Sequence, residues 1–380
     1  MTSSLVGSEM CIRDSYKIVI SGYYGFNNAG DEAMLSAIIQ SLRSTFDTPE
    51  ITVISGSPAK TSWIFDVKAI PRFGMLPIIK SIFRSDLIIS GGGSLLQDVT
   101  SWKSMIYYLS IITLGVLFRK RVFLYSQGIG PVRYRVIRIV LKHVLNHVDV
   151  ITVRDKESKG FLERLGVKRR IYTTADAVLS LHPPKLEPGR AILDAEGIPA
   201  DKKIIGVAIR RWEKKYSWTN DLISYIKKIA SLKDYAVVFI QMQSPDDRVA
   251  SEEIAGNLAK ENIFRLQGGY TLDELISIIG NCNLIVGMRL HALIFSALMR
   301  VPFIGISYDP KIDNFLSLIG LEPGASVQHL DAEKLYNKTC HILEHGMPPK
   351  VWDSVQDLQH YAGENANILR RFVETKEETR

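Results

Sequence analysis

Arg289, Leu290 and His291 lie between two apolar runs, Asn283–Met288 and Pro302–Ser307, and Lys311 follows the second. Arg289 is a planar fork suited to a phosphate or a carboxylate. His291 is the one side chain type that titrates near neutral pH, and Lys311 adds a third cation. Apolar runs of this length read as buried parallel strands. The segment between them reads as a helix opening at Arg289 and running to about Arg300. A helix N-terminus favours an anion through its free N–H groups and dipole. Together these residues describe an anion site able to move a proton. The same residues would be structural if Arg289 paired with a buried carboxylate, His291 capped its helix and Lys311 were solvated.

Such a site needs a sheet edge to hold it, and strand–loop–helix units recur along the chain. Tyr16–Ser21 leads into a loop with three glycines and two asparagines, ending at Asn28, Gly30 and Asp31, with Asp31 expected to cap a helix beginning near Glu32. Ser85–Ser94 enters Gly91, Gly92 and Gly93, where the backbone is expected to bend sharply or meet a ligand closely, with Gln97 and Asp98 beside the same cleft. Val122–Ser126 precedes a basic helix over about Arg133–Val148, and Asp149–Val153 carries Arg154 and Asp155 at its end. Three prolines and a glycine over residues 182–189 mark a linker. Beyond it the alternation restarts. A polar, aromatic loop from Trp212 to Asn220 could fold over a ligand, and Thr271 and Glu274 have capping-box spacing. This predicts an α/β protein of two Rossmann-like domains facing a cleft. The expected divisions are a leader over 1–15, an acceptor-side domain over 16–181, the linker, a donor-binding domain over 190–330, and helices over 331–380.

Residues 1–15 lack the charged and apolar regions of a secretory signal and are set aside as a non-native or disordered leader. Three dispersed cysteines make neither a disulfide framework nor a zinc site, which favours a reducing cytoplasm. Charge is uneven. Residues 1–181 hold 23 Lys and Arg against 14 Asp and Glu, a balance of +9; residues 182–380 hold 24 against 26, a balance of −2. No acid lies between Asp98 and Asp149. Such a field suits an anionic membrane surface or a diphosphate-bearing acceptor. Nucleic acid is not expected, since no binding motif accompanies the charge. Met105–Phe118 is apolar nearly throughout, too short to span a bilayer, and reads as a core helix or an interfacial segment.

The run GMRLHALIFSAL (287–298) with VPFIGISYDPK (301–311) resembles the C-terminal signature of the polysaccharide pyruvyl transferases, close to the CsaB type. The loop pattern G-x-x-N-x-GD-x-A, matched by Gly25, Asn28, Gly30, Asp31 and Ala33, resembles their N-terminal motif. The element GGG-x-L and the run Thr152–Asp155, with threonine for the usual serine, add to the likeness. The resemblance implies a glycosyltransferase-B-like fold and phosphoenolpyruvate as donor substrate, with no cofactor and no metal. It implies Arg289, Leu290 and Lys311 at the donor, with Arg154 or Arg133 contributing, and His291 as general acid or base. Asn28, Gly30, Asp31, Gly91, Gly92 and Gly93 would shape the cleft. A cationic pocket would lower the His291 pKa, so that it starts neutral and acts as base. The implied acceptor is a lipid-linked saccharide containing N-acetylmannosamine, a precursor of the secondary cell-wall polymer that retains surface-layer proteins. The work would be cytoplasmic, at the inner face of the membrane. Two alternatives stay open: a nucleotide-sugar-dependent glycosyltransferase of the same fold, and a non-catalytic, membrane-associated polysaccharide-binding protein.

Overall fold

The computed structural model describes residues 16–98, 101–211, 218–256, 258 and 262–377. The leader and most of the loop following Arg211 lie outside these residues.

The first half alternates strand and helix. Its elements are β1 (Tyr16–Tyr24), α1 (Ala29–Thr45), β2 (Pro49–Ser55), α2 (Pro58–Phe65), β3 (Lys68–Pro71), α3 (Met75–Arg84) and β4 (Leu87–Ser90). They continue with β5 (Gly93–Leu96), α4 (Trp102–Leu117), β6 (Arg121–Ile129), α5 (Arg135–Leu145), β7 (Val150–Val153), α6 (Lys156–Leu165) and β8 (Ile171–Thr173). The strands form one parallel sheet in the order β3-β2-β1-β4-β6-β7-β8, with β5 alongside β6.

The second half repeats the plan. It runs α7 (Glu187–Ala195), β9 (Lys203–Ala208), α8 (Trp218–Ala230), β10 (Tyr235–Phe239), α9 (Asp246–Ala255), β11 (Ile263–Arg265) and α10 (Leu272–Gly280). Then come β12 (Leu284–Gly287), α11 (Leu290–Leu298), β13 (Phe303–Ser307), α12 (Pro310–Leu318), β14 (Ala325–Ser326), α13 (Ala332–His345) and α14 (Pro349–Glu377). The second sheet is ordered β11-β10-β9-β12-β13-β14. These are the two parallel α/β domains that the strand–helix alternation predicts.

Strand β4 is buried at every residue, as a strand covered by helices on both faces must be. One face of the first sheet packs on α3, α4 and α5 through Ile78, Ile82, Met105, Ile112, Ile137 and Leu141. The other face meets α1 and α14 in a core continuous with the second half. Helix α14 returns to the first sheet. There the buried Asn365 accepts hydrogen bonds from Thr152 at 2.6 Å and Thr174 at 3.0 Å, and Phe372 packs on Phe123. That contact gives Thr152 a use within the core.

Several boundaries differ from the sequence reading. Helix α1 starts at Ala29, and Asn28, not Asp31, is its cap, accepting from the Gly30 N–H at 3.1 Å. Asp31 therefore sits inside the first turn. Helix α11 stops at Leu298, because Arg300 adopts φ 55° in the turn to β13. Helix α7 begins at Glu187, so the Pro-rich stretch ends inside a helix that exploits proline in its first turn. Arg133 precedes α5, and Lys311 lies in the first turn of α12, with Asp309 as cap. The Thr271–Glu274 capping box is present.

Candidate active site

Three turns at the carboxyl edges of the two sheets build the site. The β12–α11 turn carries Arg289 at the N-cap and His291 in the first helical turn. The β13–α12 turn brings Lys311 alongside, and the β1–α1 loop faces both from the first domain. The domains join here: Asn28 pairs with Gln243, and the Ala29 N–H donates to the Met242 carbonyl at 2.8 Å. Gly30 lies so close to His291 that an added Cβ would stand 2.0 Å from Nδ1. The loop's lack of a side chain there is what lets the imidazole seat.

The cleft between the domains has two lobes. The smaller, about 400 Å³, is lined by Asn28, Gly30, Asp31, Gly93, Arg154, Arg210, Arg289, Leu290, His291, Tyr308 and Lys311, among others. The larger, about 570 Å³, is lined by Arg133, Phe161, Arg164 and Asn314, among others. Gln97, Arg154, Leu290 and Lys311 border both.

Cations and carboxylates interlock around the smaller lobe. The Arg289 Nε donates to both oxygens of Asp247 at 3.1 Å, Nη1 donates to Gln243 Oε1 at 3.0 Å, and Nη2 also pairs with Asp247. Asp247 is almost completely buried and also accepts the N–H groups of Met242 and Gln243. Burial pushes its pKa up, opposed by Arg289 and those N–H groups. Arg289 is thus a fork whose orientation a structural carboxylate fixes, which the sequence reading gave as its structural alternative. The Arg154 Nη1 donates to Asp176 at 3.0 Å, and its Nη2 donates to Ser94 at 3.1 Å. Arg210 donates to the Tyr308 hydroxyl at 2.9 Å.

His291 places Nε2 3.8 Å from Asp176, leaves that nitrogen without a hydrogen-bond partner, and exposes only 17% of its side chain. Its pKa falls to about 4, chiefly through burial; Asp176 opposes, while Arg154, Lys311 and Arg289 push the same way. The ring is therefore neutral at physiological pH and suited to accepting a proton. The cations lower the pKa in the direction the sequence implies, but burial is the larger cause. Asp31 moves oppositely: burial and neighbouring Glu32 lift its carboxyl to about 7 against the pull of Lys311 and Arg154. The smaller lobe thus holds both a carboxyl that titrates near neutrality and a neutral imidazole, group types that can give and take a proton.

Gly91, Gly92 and Asp98 do not line the cleft. A Cβ at Gly91 would meet the Tyr24 hydroxyl at 1.9 Å and one at Gly92 the Met34 sulfur at 2.4 Å. The glycines let the β4 end pack against β1 and α1, and Gln127 binds the Gly91 carbonyl at 2.7 Å. Gly93 alone faces the cleft, with φ +95° and Asp31 Oδ1 3.3 Å from its Cβ position. Asp98 is buried and accepts the backbone N–H groups of Arg133 and Tyr134, which fixes the loop carrying Arg133 on the larger lobe.

Asp176 and Asp247 pair with Arg154 and Arg289, contacts that local sequence does not announce. Asp247 looks like an ordinary first-turn acid after Ser244-Pro245. Asp176 lies just beyond β8 in the run Ala175-Asp176-Ala177, whose likeness to the family was its signal.

The family profile for polysaccharide pyruvyl transferases matches residues 28–310, from the α1 cap to the first residue of α12. The chain belongs to this family. A curated relative, the amylovoran biosynthesis protein AmsJ of Erwinia amylovora, is 22% identical over 386 residues, covering 86% of this chain and 92% of that protein. Among solved structures, the UDP-GlcNAc 2-epimerase of Methanocaldococcus jannaschii superposes with a TM-score of 0.65 at 14% identity, covering 93% of this chain and 99% of that one. The Neisseria meningitidis enzyme of the same name gives 0.62 at 11% identity over 94% and 100%. At such identities the likeness concerns the glycosyltransferase-B-like fold alone. Membership in the pyruvyl transferase family makes this chain a transferase of polysaccharide biosynthesis. No helix among the described residues is long and apolar enough to cross a membrane.

Proposed function

We propose that the chain takes a pyruvyl group from phosphoenolpyruvate and places it as a ketal on a saccharide carried by a lipid. The observation that carries the reading is the smaller lobe, where Arg154, Arg289 and Lys311 surround a neutral His291 and a carboxyl near neutrality, Asp31. Phosphoenolpyruvate carries a phosphate and a carboxylate, so several fixed cations suit it. The larger lobe, with Phe161, Arg133 and Asn314, suits a sugar and a phosphate of its carrier.

In this mechanism Asp31 gives its proton to the methylene carbon of the enol, leaving C2 electrophilic. A sugar hydroxyl attacks C2 and passes its proton to His291. The bond from C2 to the phosphate oxygen breaks, the phosphate leaving on the cations. A second hydroxyl then attacks C2 and closes the ketal. The second hydroxyl's proton restores Asp31 and His291 gives its own to the departing phosphate, so the two hydroxyl protons balance the one gained by carbon and the one taken up by phosphate. Asp176 holds Arg154 and faces His291.

The finer reading follows the resemblance to the CsaB type. The acceptor is N-acetylmannosamine in a lipid-linked precursor of the secondary cell-wall polymer that anchors surface-layer proteins. The enzyme acts at the inner face of the cell membrane. The test is thermal protection. Phosphoenolpyruvate should raise the melting temperature of the wild type and fail to do so for an Arg154→Ala, Lys311→Ala double variant. Protection by UDP-sugars with none by phosphoenolpyruvate would overturn the donor and favour a nucleotide-sugar enzyme.

A further inference from the structure

The face of the first domain built by α3, α4 and α5 is apolar where water should cover it. Helix α3 packs on α4, and α4 on α5, making one layer over the first sheet. Each helix buries one side in that core and turns a second apolar side outward. Leu76 is 80% exposed and Val136 72%, and Phe83, Leu117 and Ile139 are also well exposed. Phe73, just ahead of α3, is 83% exposed. Single exposed apolar residues need no explanation, but a layer of them does.

The charges on this layer have one sign. Helices α3, α4 and α5 contain Lys80, Arg84, Lys103, Arg135, Arg138 and Lys142 and no Asp or Glu. Lys103 lies over the Trp102 ring at 5.8 Å and Lys120 over Phe83 at 5.5 Å. Exposed aromatic and aliphatic side chains ringed by cations are the composition of a surface that enters the headgroup region of an anionic bilayer. A second copy of this chain fits poorly. Pairing the face with itself would set these cations against one another with no carboxylate to answer them. The patch also adjoins the cleft: Ser101 and Ser104, at the start of α4, line the smaller lobe, and Trp102 and Ile106 on the same helix face outward.

We propose that the α3–α5 face docks on an anionic membrane surface, holding the cleft mouth at the bilayer where a lipid-borne saccharide can reach it. The sequence reads Met105–Phe118 as a core helix or an interfacial segment, and the structure shows both a buried and an exposed side there. Helix α4 buries Met105, Tyr108, Leu109, Ile111, Ile112 and Gly115 in the core and adds Trp102, Ile106 and Leu117 to the face that α3 and α5 extend. The membrane contact itself stands on the surface alone; only the purpose given to it rests on the pyruvyl transfer reading.

The experiment is co-sedimentation of the full chain with vesicles of phosphatidylcholine alone and of phosphatidylcholine containing about one third phosphatidylglycerol. Wild type should pellet with the anionic vesicles, less so at high salt. Leu76→Ser with Phe83→Ser, and separately Lys80→Glu with Arg84→Glu, should each weaken that binding about tenfold or more. These positions are exposed, so the variants should keep the wild-type melting temperature and turnover of a water-soluble acceptor. No pelleting, or equal pelleting with neutral vesicles, overturns the proposal. So does a solution mass of two chains that falls to one in the Leu76→Ser, Phe83→Ser variant, which would give the face to a second copy. Vesicle binding is read without donor or acceptor. Binding without turnover would refute pyruvyl transfer and leave the membrane face standing, and turnover without binding would do the reverse.

Discussion

Replacing Asp31 by asparagine should make the protein more stable and less active, with the stability gain governed by pH. The Asp31 carboxyl is lifted from 3.8 to about 7 in the folded protein, first by burial and then by Glu32. Folding therefore favours its protonated form. Below about pH 4 both states are protonated and the group costs nothing. Between about 4 and 7 the unfolded chain ionises while the folded one resists, so wild type loses stability as pH rises; above 7 the loss is complete. Three pH units at about 1.4 kcal/mol each give about 4 kcal/mol, an upper figure because the side chain borders the cleft. Asparagine has the same shape and cannot ionise, so the variant escapes the loss. Thermal unfolding of both proteins from pH 4 to 8.5 should show equal melting temperatures at pH 4 and a gap that opens to roughly 5 °C by pH 8. The same variant should lose about a hundredfold or more in kcat if Asp31 delivers the proton. A melting difference flat across pH, or an asparagine variant less stable than wild type at pH 8, would refute the reasoning.

Three further predictions follow from the same geometry. The pH profile of kcat/KM for wild type should fall below about pH 4, where His291 gains its proton, and above about pH 7, where Asp31 loses its own; the limb near 7 should vanish in Asp31→Asn. Asp247→Asn takes the counter-charge from Arg289 inside the domain, where breaking a buried pair costs about 3 kcal/mol; chemical denaturation should show that loss together with a raised KM for phosphoenolpyruvate. Gly30→Ala would push a methyl into the His291 ring; a loss of about 1–3 kcal/mol on chemical denaturation with kcat reduced at least tenfold is the expected result, and unchanged kcat would show that the imidazole is free to shift.

The sequence made the scaffold legible because each domain repeats one pattern, and the placement of Arg289 and His291 at a strand-to-helix turn follows from apolar runs on either side. The start of α1 was less legible. Asn28 and Asp31 are both capping types, so local sequence could not choose between them, and the choice decides whether Asp31 is a solvated cap or a mostly buried acid. The triple glycine showed that something comes close to the backbone without saying what. At Gly91 and Gly92 it is Tyr24 and Met34, contributed by distant segments. The pairs Arg154–Asp176 and Arg289–Asp247 are likewise long-range, and no spacing rule along the chain relates their members. The exposed apolar layer was hidden for a different reason: in α5, Ile137 and Leu141 face the core while Val136, Ile139 and Val140 face outward, and composition alone does not separate the two sides.

The measurement that tests the account most directly is phosphate release from phosphoenolpyruvate in the presence of a synthetic lipid-linked N-acetylmannosamine acceptor, wild type beside His291→Ala. The account predicts release that requires the acceptor, matches ketal formed on the sugar one for one, and falls by at least about a hundredfold in the variant. Release without acceptor, ketal formed equally well by His291→Ala, or no release while phosphoenolpyruvate fails to bind would contradict it.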